Sequence, residues 1–200
     1  HRVRRRVVQP GFHGRELGGW IRRGESELAP WFASLAARGA TVDLYRGLRP
    51  RLVRVIAAIV LGDSPLARNE AWLRDVDALM DFPGRPMLEQ QWKVPLPGTP
   101  WARFVRARRR VDRLLYAEIA RRRTLAANAP TDVAQGGVLE LLLPRAASSD
   151  QPGPHQGLSD KEIRDQSLSL ISAGFDTTSA AVTWVVALGL EHPELFARMA

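Results

Sequence analysis

Residues 173–178 read Ala-Gly-Phe-Asp-Thr-Thr and lie in the middle of a long apolar stretch. Asp176 and Thr177 set an acid beside an alcohol where a helix would ordinarily carry Leu or Ala. Burying either group without a partner costs about 1–3 kcal/mol. The pair therefore calls for something polar beside it: water, a ligand or a proton path. The 200-residue sequence contains no cysteine, so no thiolate is available to these residues as nucleophile or metal ligand, and no disulfide framework exists.

The element that must position the pair is well marked. Ser159-Asp160-Lys161-Glu162 reads as a capping box, in which Ser159 accepts from the backbone N–H of Glu162 and the Glu162 side chain reaches back. Apolar residues follow at Ile163, Leu168, Leu170, Ile171, Val182, Val185, Val186 and Leu188, and the pattern stops at His192-Pro193. The spacing predicts a helix over 159–191, a rod of about 45 Å at 1.5 Å per residue. Its second half is apolar on most sides, so it is expected to run through a core. Asp176, Thr177, Thr178 and Ser179 interrupt the apolar run, which argues against a membrane span. Gly174 weakens the helix by about 1 kcal/mol relative to Ala, and the Thr177 hydroxyl can bond back to the Ala173 carbonyl. Together these predict a local bulge of the kind common at functional sites. Ser169, Ala173, Asp176 and Thr177 share one helix face. On spacing alone, a small-residue patch where another helix crosses closely explains them equally well.

The hexapeptide Ala173-Gly174-Phe175-Asp176-Thr177-Thr178 resembles the oxygen-binding signature of the central I helix in the cytochromes P-450, the haem-thiolate monooxygenases. A second segment, residues 1–12 (His-Arg-Val-Arg-Arg-Arg-Val-Val-Gln-Pro-Gly-Phe), resembles that family's C helix, where a His and an Arg four residues later hold the haem propionates. His1 and Arg5 stand at i and i+4, on one helical face. Without the first motif, the arginine run reads as a solvated basic face.

The segments between the motifs follow the family's order from helix C to the start of helix J. Residues 12–39 are helix-like, with a kink or break expected near Pro30. Residues 40–45 read as a short strand or extended turn, 50–61 as an apolar helix ended by Gly62, and 65–82 as amphipathic. Residues 82–101 carry five prolines and cannot be helical throughout. A basic amphipathic helix is expected over 101–125, with Phe104, Val111, Leu114, Leu115 and Ile119 facing inward. A short helix is expected over 133–143, and a polar loop, expected to be mobile, over 146–157. The fold class is therefore all-α, mainly helical, with 1–200 expected to be a single partial domain. The resemblance places the family's K-helix Glu-x-x-Arg pair and its cysteine-containing haem loop after helix J, so the chain is expected to lack both and to be an internal piece of a protein about twice as long.

The net charge of +8 comes almost wholly from arginine, since Lys93 and Lys161 are the only lysines. A basic balance of this kind invites a nucleic-acid reading, yet no zinc spacing or RNA-binding signature accompanies it. The arginines are spread over several amphipathic helices, as on solvated faces. An Arg-rich surface would also suit an acidic electron donor. No stretch reads as a signal peptide or membrane anchor.

The resemblance implies an enzyme that inserts one oxygen atom of O2 into a hydrophobic small molecule in the cytoplasm. It would use haem and electrons from NAD(P)H passed through a ferredoxin or flavodoxin, without nucleic acid or a membrane segment. It implies that His1 and Arg5 hold haem propionates, that Ala173 and Gly174 line the oxygen pocket, and that Ser169 and Ala173 touch substrate. Thr177 would hydrogen-bond the oxygen being activated, Asp176 would relay protons, and no metal ligand lies in this chain. The alternatives are an Arg-rich helical nucleic-acid-binding regulator, which would carry a compact recognition helix, and a truncated gene product without a function of its own.

Overall fold

The structure is a computed structural model that describes residues 15–39, 41–91, 93–128, 137–143, 158–194 and 198. Among the described residues, seven helices run in chain order: α1 (Arg15–Arg38), α2 (Leu44–Leu61), α3 (Glu70–Asp81), α4 (Met87–Gln91), α5 (Pro100–Asn128), α6 (Val138–Leu142) and α7 (Asp160–Glu191). A 3-10 turn, Pro65–Arg68, joins α2 to α3. No strand occurs among the described residues, so the fold class is the expected one.

The most extensive contact is between α2 and α7, and α3 packs chiefly on α5. The core lies between these four helices. Leu48, Ala57 and Leu61 of α2 meet Ile163, Ile171 and Phe175 of α7, while Trp72 of α3 meets Val111, Leu115 and Ile119 of α5. All ten are 0% exposed. Trp72 Nε1 finds the Val111 carbonyl at 3.4 Å, so the largest core side chain does not bury its N–H unpaired.

Local chemistry sets where the helices start. The Ser159 box forms as expected: Ser159 Oγ accepts from the Glu162 N–H at 3.3 Å, and Glu162 Oε2 accepts from the Ser159 N–H at 3.0 Å. Asp43 accepts from the Arg46 N–H at 2.9 Å and starts α2. Of the short strand or extended turn expected over 40–45, no strand forms: residues 41–43 are irregular, with Asp43 extended, and α2 begins at Leu44, ahead of the expected Pro50. Asp43 decides the point as an N-cap, against the β-propensity of Thr41 and Val42. Asn69 caps α3 in the same way, accepting from the Trp72 N–H at 3.0 Å.

Two prolines behave differently from expectation. Pro30 does not break α1, which is continuous from Arg15 to Arg38. The lost backbone bond costs about 3 kcal/mol, but Trp20, Leu28 and Trp31 pack against the core on both sides of it. Trp31 leaves no room for a Cβ at Gly47, whose place would lie 2.4 Å from the indole. Pro50 likewise sits inside α2. The segment 82–101 is not helical throughout, as expected, but it holds the short α4. The helix expected over 133–143 is seen as Val138–Leu142; residues 133–136 and the loop 146–157 lie outside the described residues.

Candidate functional site

α7 is α-helical from Asp160 to Glu191, with no π-helical turn at Gly174, so the expected bulge is absent. The hydroxyl that was to force it is nonetheless engaged: Thr177 Oγ1 donates to the Ala173 carbonyl at 2.5 Å. Ser169, Ser179 and Thr183 bond back to carbonyls four residues earlier in the same way. Such side chains share carbonyls with the helix ladder without opening it.

The hexapeptide divides between two faces. Phe175 is fully buried. Gly174 faces α2, where a Cβ would come within 3.0 Å of the Ile56 side chain. The close helix crossing read from the small residues is thus present at Gly174. Ser169, Ala173, Asp176 and Thr177 lie on the exposed side. His1 and Arg5 lie outside the described residues.

Asp176 does not stand alone. Tyr45 Oη donates to Asp176 Oδ1 at 2.8 Å, and Arg49 Nη1 donates to the same oxygen at 3.0 Å. Arg49 Nη1 also donates to Tyr45 Oη at 3.0 Å. The rest of the guanidinium is taken by Asp77 of α3, whose Oδ1 accepts from Nε at 3.0 Å and from Nη2 at 2.8 Å. Burial by itself lowers the pKa of Arg49, but the hydrogen bonds and charge of Asp77, then Tyr45, outweigh it, and the net direction is upward. Arg49 is thus a permanent cation, only 17% exposed, between two carboxylates that are 39% and 52% exposed.

Tyr45, Arg49 and Asp176 line one side of an open cavity of about 640 Å³. Its other side comes from the end of α3 and the turn after it, from Met80 to Pro86. The cavity therefore joins the acid of α7 to the proline-rich segment. Sequence reasoning missed Tyr45, Arg49 and Asp77. One signal was there to find: Tyr45 and Arg49 stand at i and i+4 within 44–61, which places both on one face.

Past Asp176, α7 has large apolar side chains in the open. Trp184 is 67% exposed, Val185 55% and Leu190 73%. Among the described residues, α7 is also the one helix long and apolar enough to cross a membrane by length and composition. The core helix of a soluble protein passes the same test, and Ile163, Ile171 and Phe175 of α7 are core residues. No group of three or more His, Asp or Glu side chains that could hold a metal ion exists among the described residues.

The comparisons with known proteins agree with one another. The Cytochrome P-450 family model matches residues 1–200. The chain is 31% identical over 188 residues to cytochrome P-450 139 of Mycobacterium tuberculosis strain H37Rv, covering 93% of this chain and 40% of that protein. It is 29% identical over 202 residues to cytochrome P-450 135B1 of the same strain, covering 99% of this chain and 40% of that protein. Among solved structures, retinoic acid-bound cyanobacterial CYP120A1 superposes with a TM-score of 0.74 at 23% identity, over 98% of this chain and 40% of that one. The chain thus spans 40% of the length of the relatives it matches.

The family implies a haem. The residues present fit one face of it: α7 offers small side chains at Ala173 and Thr177 on an open face that continues into exposed apolar residues, as a flat apolar cofactor requires. No cysteine is among the 200 residues. The chain, matched along all 200 residues by the family model, belongs to the cytochrome P-450 family.

Proposed function

We propose that the whole protein is a monooxygenase that inserts one oxygen atom of O2 into a hydrophobic small molecule in the cytoplasm. Its electrons would come from NAD(P)H through a ferredoxin- or flavodoxin-type donor. Haem, when bound, supplies the oxygen activation, and the protein supplies orientation and protons. His1 and Arg5 are the proposed donors to its propionates. The face of α7 at Ala173 and Thr177 is the proposed surface over it, with Ser169 and Ala173 toward substrate, while Gly174 serves the packing on Ile56 of α2.

In this reading, the residues of α7 hold and move protons. Thr177 is the proposed donor toward the reacting oxygen, its hydroxyl turning from the Ala173 carbonyl to do so. Asp176 is the proposed relay, taking protons from the open cavity at its carboxylate. The observation that carries the reading is the pairing of the two on one exposed helix face, with the acid held on a polar cavity and the hydroxyl one residue on. A candidate proton donor must first be within reach of both source and acceptor.

A second reading is favoured by the ion pair itself: Asp176 anchors α7 to α2 through Arg49 and does no chemistry. Two measurements on the full-length protein separate these and test the function. Haem content with the reduced-CO band of thiolate-ligated haem tests the cofactor. Product formed per NAD(P)H in Asp176→Asn tests the relay. A full-length protein that binds no haem ends the proposed function, and wild-type turnover in Asp176→Asn leaves the anchor.

A further inference from the structure

Arg49 is one guanidinium serving two carboxylates on two different helices. Nε and Nη2 are committed to Asp77 of α3, and Nη1 to Asp176 of α7. The group is clamped on its flat sides as well: its Cζ lies 5.3 Å from the ring centroid of the buried Phe175 and 5.7 Å from that of Tyr45. Such stacking suits the planar guanidinium and not an ammonium. Both donors to Asp176, the Arg49 N–H and the Tyr45 O–H, converge on Oδ1. Oδ2 takes no hydrogen bond among the described residues, and the side chain is half-exposed beside the cavity.

A carboxylate gripped by one oxygen is held in orientation and still has the other free to accept and release a proton. Proton transfer is sensitive to that orientation, because small misplacements of a reacting group cost large factors in rate. Resting on the proton-delivery reading of Asp176, we propose that Arg49 and Tyr45 are positioning residues that fix Oδ1 and present Oδ2, with Asp77 holding Arg49 in place for that task. The grip then depends on α3, since Asp77 sits on that helix, four residues before the Asp81 that lines the cavity with Asp176. A shift of α3 would carry Arg49 with it and release the acid.

The experiment uses the full-length holoprotein carrying Tyr45→Phe, Arg49→Lys, Asp176→Asn, and Tyr45→Phe with Asp176→Asn. Arg110→Gln serves as a control that cuts a different tie to α3, the ion pair with Asp75. Product per NAD(P)H, the solvent deuterium isotope effect on turnover and the unfolding midpoint are measured for each. Tyr45→Phe and Arg49→Lys should lower product formation about tenfold, part of the roughly 10²–10⁴-fold that a general acid contributes, and change the isotope effect at unchanged haem content. Tyr45→Phe should cost no further product formation once Asp176 is Asn, because the relay it orients is already gone. Arg110→Gln should leave product per NAD(P)H as in the wild type. Wild-type turnover in Tyr45→Phe and Arg49→Lys beside an impaired Asp176→Asn overturns this proposal alone, as does a further loss of product formation when Tyr45→Phe is added to Asp176→Asn. Wild-type turnover in Asp176→Asn overturns the proton-delivery reading and this proposal with it.

Discussion

At the scale of single residues, hydroxyls on α7 have two fates. Thr177 Oγ1 satisfies itself on a carbonyl of its own helix but remains on the exposed face. That bond is one it can exchange for a partner outside, since a hydroxyl rotates to suit. In the full-length protein, Thr177→Ala should therefore keep haem content while product per NAD(P)H falls several-fold and hydrogen peroxide is released. Thr177→Ser should restore the ratio. Unchanged product per NAD(P)H in the alanine variant would remove Thr177 from the mechanism. Ser167 shows the other fate. Its Oγ is fully buried and has no hydrogen-bond partner among the described residues. An unpaired buried polar group costs about 1–3 kcal/mol, and alanine fills nearly the same space. Ser167→Ala should leave the unfolding midpoint unchanged or raise stability by up to about 1 kcal/mol; a clear loss in denaturant titration would mean that the hydroxyl has a partner after all.

At the scale of elements, the arginine excess reads differently in space than in sequence. The expectation of solvated basic faces holds for part of it. Much of the rest ties helices together: Arg54 of α2 pairs with Glu27 of α1 and Glu70 of α3, Arg110 of α5 with Asp75 of α3, and Arg164 of α7 with Asp112 of α5. Arg122 of α5 reaches Glu118, Glu140 of α6 and the Leu61 carbonyl at the end of α2. Glu118 is the buried member of that group, 7% exposed. Burial alone would raise its pKa, but hydrogen bonds from Arg121, Arg122 and Ser64, with the charge of Arg121, bring it below the ordinary 4.5. A carboxylate with a depressed folded pKa contributes stability that is complete above the unfolded value and lost as pH falls through the folded one. Glu118→Gln should thus cost about 1–3 kcal/mol at neutral pH, and the gap from the wild type should close as the pH drops below 4.5. A gap that stays constant in unfolding titrations down through that range would contradict the assignment. These ties also mark the limit of what the sequence discloses. α7 and α5 were legible because a capping box and a long hydrophobic period are local signals. The start of α2 was not, because Asp43 acts as a cap only once Leu44 and Leu48 pack behind it. Pro30 was read as a break for the same reason: its cost is local, and the packing of Trp20 and Trp31 that offsets it is not. The hexapeptide located Asp176 and Thr177, but Tyr45, Arg49 and Asp77 stand 131, 127 and 99 positions from Asp176 in the chain, and no spacing rule joins them.

At the scale of the whole molecule, the described helices make one core around α2, α3, α5 and α7, yet the far end of α7 remains uncovered. Trp184, Val185, Leu188 and Leu190 are each more than 45% exposed, the first three on one side of the helix, and exposed apolar surface of this kind drives association. The chain spans 40% of the length of the relatives it matches. The 200-residue chain expressed alone should accordingly self-associate, unfold without a sharp transition, and give no thiolate-type CO band, having no cysteine. A monodisperse monomer with a cooperative melt by calorimetry would contradict this. The central claim, that the acid of α7 delivers protons in a haem monooxygenase, needs the full-length protein. Its most direct test is product formed per NAD(P)H in Asp176→Asn, read beside haem content and the melting temperature. Asparagine keeps the size and an acceptor oxygen for Tyr45 and Arg49 but cannot exchange a proton at neutral pH. The account predicts a fall in product formation of about 10²–10⁴-fold in a protein that still holds haem and melts near the wild type. Normal turnover with a lowered melting temperature would contradict it and leave Asp176 as the anchor of α7 on Arg49.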